Sequence, residues 1–426
     1  MARFDSLFDW LSWQESFHPR SIDLGLERAA TVFKLLNPDG IKPPAIIVGG
    51  TNGKGSCIAY LEAIYRAQGY KVGAYTSPHI LNYNERICIN GEPVSDSVIC
   101  QAFERIDAVR NDVSLSYFEF GTLAALDIFS RSELDVQLLE VGLGGRLDAV
   151  NIIDADVSIV TNISVDHIDW LGETTEAIGF EKAGIFRKNK AAIIGDINPP
   201  KSLAQQANKI HAQLLRMGQE FDFQPLGDSW EWECFSNKPK KYSQLPNPAL
   251  KGEHQYRNAS AVLMAVTEMD ELLPVSEQSI YYGLEHIELQ GRFQIIKGKI
   301  PVLLDVAHNP QAVTALLKYL ESDFPEQKIH AVFAMMKDKD IVGVINIIKP
   351  VITDWFLSPL SNPRAAHESL MQTHFQACQL TDVNVGFKDF SEAFNAAEKT
   401  AKQGDLIVVF GSFFLVSEYL LKAKNT

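Results

Sequence analysis

No apolar stretch in this sequence approaches the roughly 18 residues that a membrane span requires, so no membrane partner is expected. The opening, Met1-Ala2-Arg3-Phe4-Asp5, has no signal-peptide core. Cysteine is sparse. The five, Cys57, Cys88, Cys100, Cys234 and Cys378, never fall in C-x-x-C spacing, which argues against a zinc ribbon or disulfide framework and fits a reducing cytosol. Basic charge is in deficit, with 39 Lys and Arg against 53 Asp and Glu for a net −14. A sequence-independent hold on a nucleic acid backbone needs a basic surface, so no nucleic acid partner is expected. No internal repeat or low-complexity tract is visible, and Lys422-Ala423-Lys424-Asn425-Thr426 reads as a frayed end. What remains is a cytoplasmic chain, read as a monomer, with 46% apolar residues to build its cores.

One segment stands out against that background. Gly49-Gly50-Thr51-Asn52-Gly53-Lys54-Gly55-Ser56 follows the apolar run Ala45-Ile46-Ile47-Val48, suited to a buried strand. After it, Ile58, Leu61, Ile64 and Tyr65 recur at helical spacing before Gly69 offers a stop. Glycines let successive N–H groups turn into one concavity, the helix adds its positive end, and Lys54 supplies a mobile ammonium. The string departs from the usual G-x-x-x-x-G-K-[ST]: only three residues separate Gly49 from Gly53, and Gly55 intrudes between Lys54 and Ser56. It reads as a variant phosphate loop for a nucleoside triphosphate.

Further strand-like runs, Val72-Gly73-Ala74-Tyr75, Val136-Gln137-Leu138-Leu139 and Val157-Ser158-Ile159-Val160, alternate with helical stretches. This predicts a mostly parallel α/β sheet. Ligands gather beyond the carboxyl ends of such strands, where the loop after Val48, Ser77, Glu140 and His167 all fall. From Met217 to Gly252 the chain turns polar and irregular around Pro225, Gly227, Pro239, Pro246 and Pro248, predicting a hairpin and loop before a helix resumes near Asn258. A second α/β unit then shows strands at Val302-Leu303-Leu304, Ala331-Val332-Phe333 and Leu406-Ile407-Val408-Val409-Phe410. The expected domains are 1–290, a linker at 291–300, and 301–426, two lobes that imply a cleft.

Several more strings carry a specific likeness: Thr76-Ser77-Pro78-His79, Tyr117-Phe118-Glu119, Glu140-Val141-Gly142-Leu143-Gly144-Gly145-Arg146-Leu147-Asp148-Ala149, Asp166-His167, Glu181-Lys182-Ala183-Gly184-Ile185, Gly291-Arg292-Phe293 and Asp305-Val306-Ala307-His308-Asn309-Pro310. With the variant loop, and in this order over nearly the whole chain, they resemble the bacterial bifunctional dihydrofolate synthase/folylpolyglutamate synthases, relatives of the Mur peptide ligases. The resemblance implies a P-loop Mur-ligase-type ATPase domain followed by a smaller Rossmann-like α/β domain. It implies ATP-driven amide formation between a pterin-linked carboxylate and L-glutamate, with dihydropteroate and tetrahydrofolates as acceptors. A carboxylate oxygen is a poor leaving group until ATP converts it to an acyl phosphate. That step brings two anions together, so Mg²⁺, Lys54 and the loop would act through position and charge.

The family's functional residues fall on identifiable positions. By resemblance Thr51, Asn52, Gly53, Lys54, Gly55 and Ser56 hold ATP, Asn258 lies near the adenine, and Arg292 and Asp305 reach the nucleotide from the linker and second domain. Ser77 and Glu140 coordinate one Mg²⁺, and His167 holds a second with Glu140. Lys182 matches a lysine that relatives can carry as a carbamate at that second metal; Lys54, His167 and Lys182 are the catalytic set. Ser116, Tyr117, Phe118, Glu119, Leu147, Asp148 and Ala149 match segments near dihydropteroate, and His308 and Ser412, with Asn309, match the glutamate side. Phe17-His18-Pro19 and Ile22-Asp23-Leu24-Gly25-Leu26 resemble the bifunctional subgroup, while Val150 stands where relatives often have threonine.

Taken singly, these residues also fit ordinary roles: Ser77 a turn before proline, Glu140 an ion pair, Asp166-His167 a loop hydrogen bond, Glu181-Lys182 a solvated helix pair, Tyr117 and Phe118 core packing, Asn258 a helix start, Ser412 a cap. Two other functions share part of the pattern. Another Mur-type ligase would share the loop and metal set but differ in the acceptor segments, and a P-loop regulatory ATPase would have no use for the Asp305–Pro310 string.

Overall fold

The computed structural model describes residues 3–20, 22–40, 42–236 and 238–424. They divide into two compact units, Met1–Ala249 with Tyr256–Ile287, and Leu250–Gln255 with Glu288–Thr426.

In the first unit β1 (Ala45–Gly49), β2 (Val72–Tyr75), β3 (Ile87–Ile89), β4 (Glu92–Pro93), β5 (Val136–Glu140), β6 (Val157–Val160), β7 (Ala191–Ile194) and β8 (Gln213–Arg216) form one sheet in the order β4-β3-β2-β5-β1-β6-β7-β8. Strands β1, β5, β6 and β7 are buried along their whole length, which is why they read as apolar runs without alternation. The sheet ends in a tight hairpin where Asn90 (φ 52°) and Gly91 (φ 77°) take the positive φ that a two-residue turn needs. β1 lies parallel between β5 and β6, with Val48 opposite Glu140 and Gly49 opposite Val160. The chain leaves β1 toward β2 on one side and continues from β6 on the other, so the order reverses at β1 and opens a crevice beyond its carboxyl end. Helix Lys54–Gln68 starts there and stops at Gly69, which takes φ 98°.

The segment expected as hairpin and loop is instead an antiparallel sheet of β9 (Phe221–Pro225), β10 (Ser229–Cys234) and β11 (Lys240–Pro246), with β10 in the middle. Its prolines misled because they stand at strand ends, where no ladder donor is needed; Trp230, Trp232 and Cys234 alternate inward as a half-buried strand should. The next helix, His254–Met269, begins ahead of Asn258.

The second unit holds β12 (Gln294–Ile296), β13 (Val302–Asp305), β14 (Ile329–Phe333), β15 (Asp354–Leu357) and β16 (Leu406–Phe410), in the order β12-β13-β16-β14-β15. Only β12 runs antiparallel, and it lies within 291–300, so that expected linker contributes an edge strand to this sheet. Phe333, Trp355, Phe375 and Phe410 interlock in its core. The tail is helical through Lys424 rather than frayed; Asn425 and Thr426, like Met1 and Ala2 at the opening, lie outside the described residues. No helix among the described residues is long and apolar enough to cross a membrane.

Candidate active site

The phosphate loop is shaped by contacts that only glycine permits. Gly50 has φ 138°, and a Cβ there would sit 1.8 Å from Thr161 Oγ1. Gly53 has φ 87°, and its Cβ would lie 2.6 Å from Asn258 Oδ1. The loop is strapped to the chain leaving β6. Thr161 Oγ1 donates to Asn52 O at 2.6 Å, Asn52 N donates to Asn162 Oδ1 at 3.0 Å, and Thr51 N donates to Asn162 O at 2.9 Å. Thr51 Oγ1 also donates to Ser164 O and accepts from Ser164 N, at 3.2 and 3.0 Å. Thr161, Asn162 and Ser164 were not singled out in the sequence; the one available signal was a polar cluster at the end of a strand that could neighbour β1.

Two lysines meet at this loop. Lys54 Nζ donates to Gly50 O and Thr51 O, both at 3.3 Å, and Lys182 Nζ donates to Gly50 O at 2.9 Å. Lys182 is therefore not a solvated helix residue but a buried one. Burial first, and the charge of Lys54 second, lower its amine from 10.5 to about 7, while Asp166 and Asp148 pull the other way. Asp148 is buried too, and burial pushes its carboxyl up to about 6 even though Leu143 N–H and Val150 N–H donate to it at 2.8 and 2.9 Å.

Glu140 ends β5 buried beside β1, and its Oε2 accepts Ser77 N–H at 3.2 Å. The Ser77–Pro78 peptide is cis. His167 follows β6 in the left-handed region at φ 54°, its N–H donating to Asp166 Oδ1 at 2.8 Å and its ring 4.0 Å from that carboxylate. The register of β5, β1 and β6 thus brings the segments of Glu140, Lys54 and His167 to one edge of the sheet. Among the described residues no three His, Cys, Asp or Glu cluster as a ready metal cage. A hydroxyl and a buried carboxylate are nonetheless donors that suit Mg²⁺, a hard cation that binds through one or two carboxylates and keeps much of its water.

Ser116 and Glu119 form a capping box on helix Tyr117–Ser130, with Ser116 N–H donating to Glu119 Oε2 at 2.8 Å and Glu119 N–H to Ser116 Oγ at 3.3 Å. Arg28 Nε donates to the same Glu119 carboxylate at 3.1 Å and its Nη1 lies 2.9 Å from Asp23. Arg28 was not anticipated, because its partners are distant in sequence. The half-buried Tyr117 and Phe118 remain available to a flat ring. Phe118 lies over Gly142, where a Cβ would come within 2.4 Å of its ring. Leu147 O accepts Gly25 N–H at 3.1 Å, joining the segment 22–26 to Leu147-Asp148-Ala149.

In the second unit Asp305 ends β13, accepting Phe293 N–H at 3.0 Å and Ala307 N–H at 2.8 Å. Burial raises its carboxyl to about 6 against the opposing charge of Arg292, whose guanidinium lies 5.1 Å from the Phe413 ring centre. His308 Nδ1 donates to Val306 O at 2.8 Å, since a carbonyl oxygen can only accept. Asn309 caps helix Pro310–Asp323, and Ser412 Oγ accepts Leu415 N–H at 3.1 Å, so Ser412 serves as a cap.

Known proteins share this fold and much of this sequence. The Mur ligase middle domain matches residues 107–266, and the Mur ligase, glutamate ligase domain matches residues 291–413. The dihydrofolate synthase/folylpolyglutamate synthase of Escherichia coli K12 is 41% identical over 97% of this chain and 94% of its own length. The solved structure of E. coli FolC in complex with DHPP and ADP superposes with a TM-score of 0.93 at 39% identity, covering 99% of both chains. A bifunctional folylpolyglutamate synthase/dihydrofolate synthase solved with Mn, AMPPNP and L-glutamate superposes at 0.90 and 38% identity, covering 99% of this chain and 98% of the other.

Proposed function

The chain belongs to the dihydrofolate synthase/folylpolyglutamate synthase family of Mur ligases, and on that premise we propose that residues 49–56, Lys182 and the carboxyl ends of β1, β5 and β6 carry its chemistry. It is an ATP-dependent ligase that activates a pteroate or folate carboxylate as an acyl phosphate and joins it to L-glutamate. The observation that best supports this assignment of residues is the convergence of Lys54 and Lys182 on Gly50 O, beside buried Glu140 and Asp148 at the sheet's reversal point.

The loop N–H groups and Lys54 take the β- and γ-phosphates, Lys54 exchanging two loop carbonyls for phosphate oxygens. A substrate carboxylate oxygen attacks the γ-phosphorus, the bond to the bridging oxygen breaks, and ADP departs. The glutamate amine then attacks the acyl carbon, loses its proton, and expels phosphate. Mg²⁺ held by Ser77 and Glu140, and a second by His167, Glu140 and a Lys182 carbamate, would neutralise the gathered anions. The half-depressed amine of Lys182 suits carbamate formation, since only the neutral amine attacks carbon dioxide. Tyr117, Phe118 and residues 147–149 receive the pterin-linked acceptor. Asn258, Arg292 and Asp305 complete the hold on the nucleotide, and His308, Asn309 and Ser412 serve the glutamate side. The protein acts as a monomer in the cytosol on these small molecules.

Purified protein with ATP, Mg²⁺, dihydropteroate and labelled glutamate should release dihydrofolate, ADP and phosphate, and with tetrahydrofolate should add glutamate to its tail. ATP hydrolysis that proceeds without either acceptor, with no amide formed, overturns the reading.

A further inference from the structure

We infer that Arg86 binds the non-reacting α-carboxylate of a folate's glutamate, and so distinguishes folates from dihydropteroate in the acceptor site. The inference rests on the ligase reading above and adds a residue that selects between its two acceptors. Arg28, Arg110 and Arg146 each meet an Asp or Glu carboxylate at 2.8–2.9 Å. Arg86 has no carboxylate partner among the described residues. Its Nε donates to His79 Nδ1 at 2.8 Å, and its Cζ lies 5.4 Å from the Tyr83 ring centre and 5.7 Å from that of Tyr117. The adjacent acid cannot serve it: the Glu85 carboxylate accepts Ile80, Leu81 and Asn82 N–H at 2.7–2.9 Å. Two aromatic faces and an imidazole thus hold a half-buried guanidinium in place and leave its Nη edge for an anion.

Its position names the anion. Arg86 O accepts Thr76 N–H at 2.9 Å, which ties it to the strand end that carries Ser77, and Tyr117 opens the acceptor segment. The reacting carboxylate is a poor occupant, because a bidentate guanidinium would occupy the lone pairs that must attack phosphorus. A spectator carboxylate carries no such penalty. Dihydropteroate has only the reacting carboxylate, whereas a folate bears the α-carboxylate as well.

The test is steady-state kinetics of Arg86→Gln and Arg86→Lys at saturating ATP, Mg²⁺ and glutamate. Three acceptors are compared: dihydropteroate, tetrahydrofolate, and a tetrahydrofolate analogue with γ-aminobutyrate in place of glutamate, which keeps the reacting carboxylate and lacks the other. For R86Q the KM for tetrahydrofolate should rise about 10- to 100-fold, the value for a lost charge-assisted pair. KM for dihydropteroate and for the analogue should stay within about 3-fold, and R86K should recover part of the loss. Equal rises for all acceptors, no rise for any, or a larger rise for dihydropteroate each overturn the inference. Should R86Q not fold, R86K decides by the same ratios. A wild-type protein that ligates neither pterin would instead defeat the function reading.

Discussion

Replacing Lys182 by methionine should stabilise the metal-free, nucleotide-free protein at neutral pH. The unfolded chain holds this amine near its ordinary 10.5, whereas burial and Lys54 hold it at about 7 in the fold. Between those values the unfolded state binds the proton and the folded state does not, so stability rises with pH across that window. Below pH 7 both states are protonated and the whole penalty is present; above 10.5 neither is, and it is gone. At 1.36 kcal/mol per pH unit the shift amounts to about 5 kcal/mol at most. Methionine has a similar length and removes that penalty, but forfeits the 2.9 Å bond to Gly50 O, worth about 1 kcal/mol. A gain of about 2–4 kcal/mol at pH 7, fading toward pH 10, is the expected outcome. Urea unfolding of the two proteins at successive pH values reads it out. Trp355→Phe in both leaves the tryptophans of the first unit as reporters. A K182M protein less stable than its parent at pH 7, or a difference that does not shrink by pH 10, would show that the folded chain holds Lys182 as a charged, paired ammonium. Ligase activity should meanwhile fall by at least about 100-fold.

Gly50→Ala would set a Cβ 1.8 Å from Thr161 Oγ1 at φ 138°, so the loop must open; KM for ATP should rise about 100-fold or more, and a near-normal KM contradicts the loop assignment. Glu119→Ala removes the acceptor of Ser116 N–H and of Arg28; a loss of about 2–3 kcal/mol is expected in urea, and a loss under about 0.5 would show that the capping box is idle. In the second unit the backbone N–H of Lys402, and then His330, hold the Asp405 carboxyl below its ordinary 3.8. A depressed folded value contributes stability above the ordinary value that is lost as pH falls through the folded one. Asp405→Asn should therefore flatten the acid limb of thermal unfolding below about pH 4; superimposable limbs refute the pairing.

The strands around β1 were legible because both their faces are covered, which leaves unbroken apolar runs that turn signals delimit. β9–β11 were not, since prolines at their ends imitate loop composition while the inward alternation of Trp230, Trp232 and Cys234 lies between them. Lys54, Ser77, Glu140 and His167 could be placed because strand ends mark the crevice. Thr161, Asn162 and Ser164 could not, because lone polar residues after a strand have no diagnostic spacing, and their task is to hold a backbone 110 positions away, as Asn162 does for Asn52. Arg28 and Arg86 were missed for a related reason: each is defined by the partners it has or lacks in space.

Two of the strings that carried the family resemblance turn out to be one object. A Cβ at Gly145 would lie 3.0 Å from Glu181 O and from Lys182 O, and one at Gly184 would lie 2.3 Å from Arg146 Cβ. Arg146 N donates to Glu181 O at 2.7 Å, and its guanidinium pairs with the Glu181 carboxylate at 2.9 Å. The glycines therefore let two backbones touch, and that contact holds the end of helix Thr175–Lys182 against the loop after β5. Lys182 is thereby held at Gly50 O although Lys54 already donates there. Burial first, and the neighbouring charge of Lys54 second, depress the Lys182 amine there, and the pull of Asp166 and Asp148 does not offset them. A triphosphate would offer Lys54 phosphate oxygens in place of a loop carbonyl that it shares with Lys182. Gly145→Ala or Gly184→Ala should therefore weaken ATP binding by releasing Lys182 from the loop. Calorimetric titration with a non-hydrolysable ATP analogue should show a loss of about 10-fold for either, and unchanged affinity in a folded variant would break the link between that backbone contact and the nucleotide site.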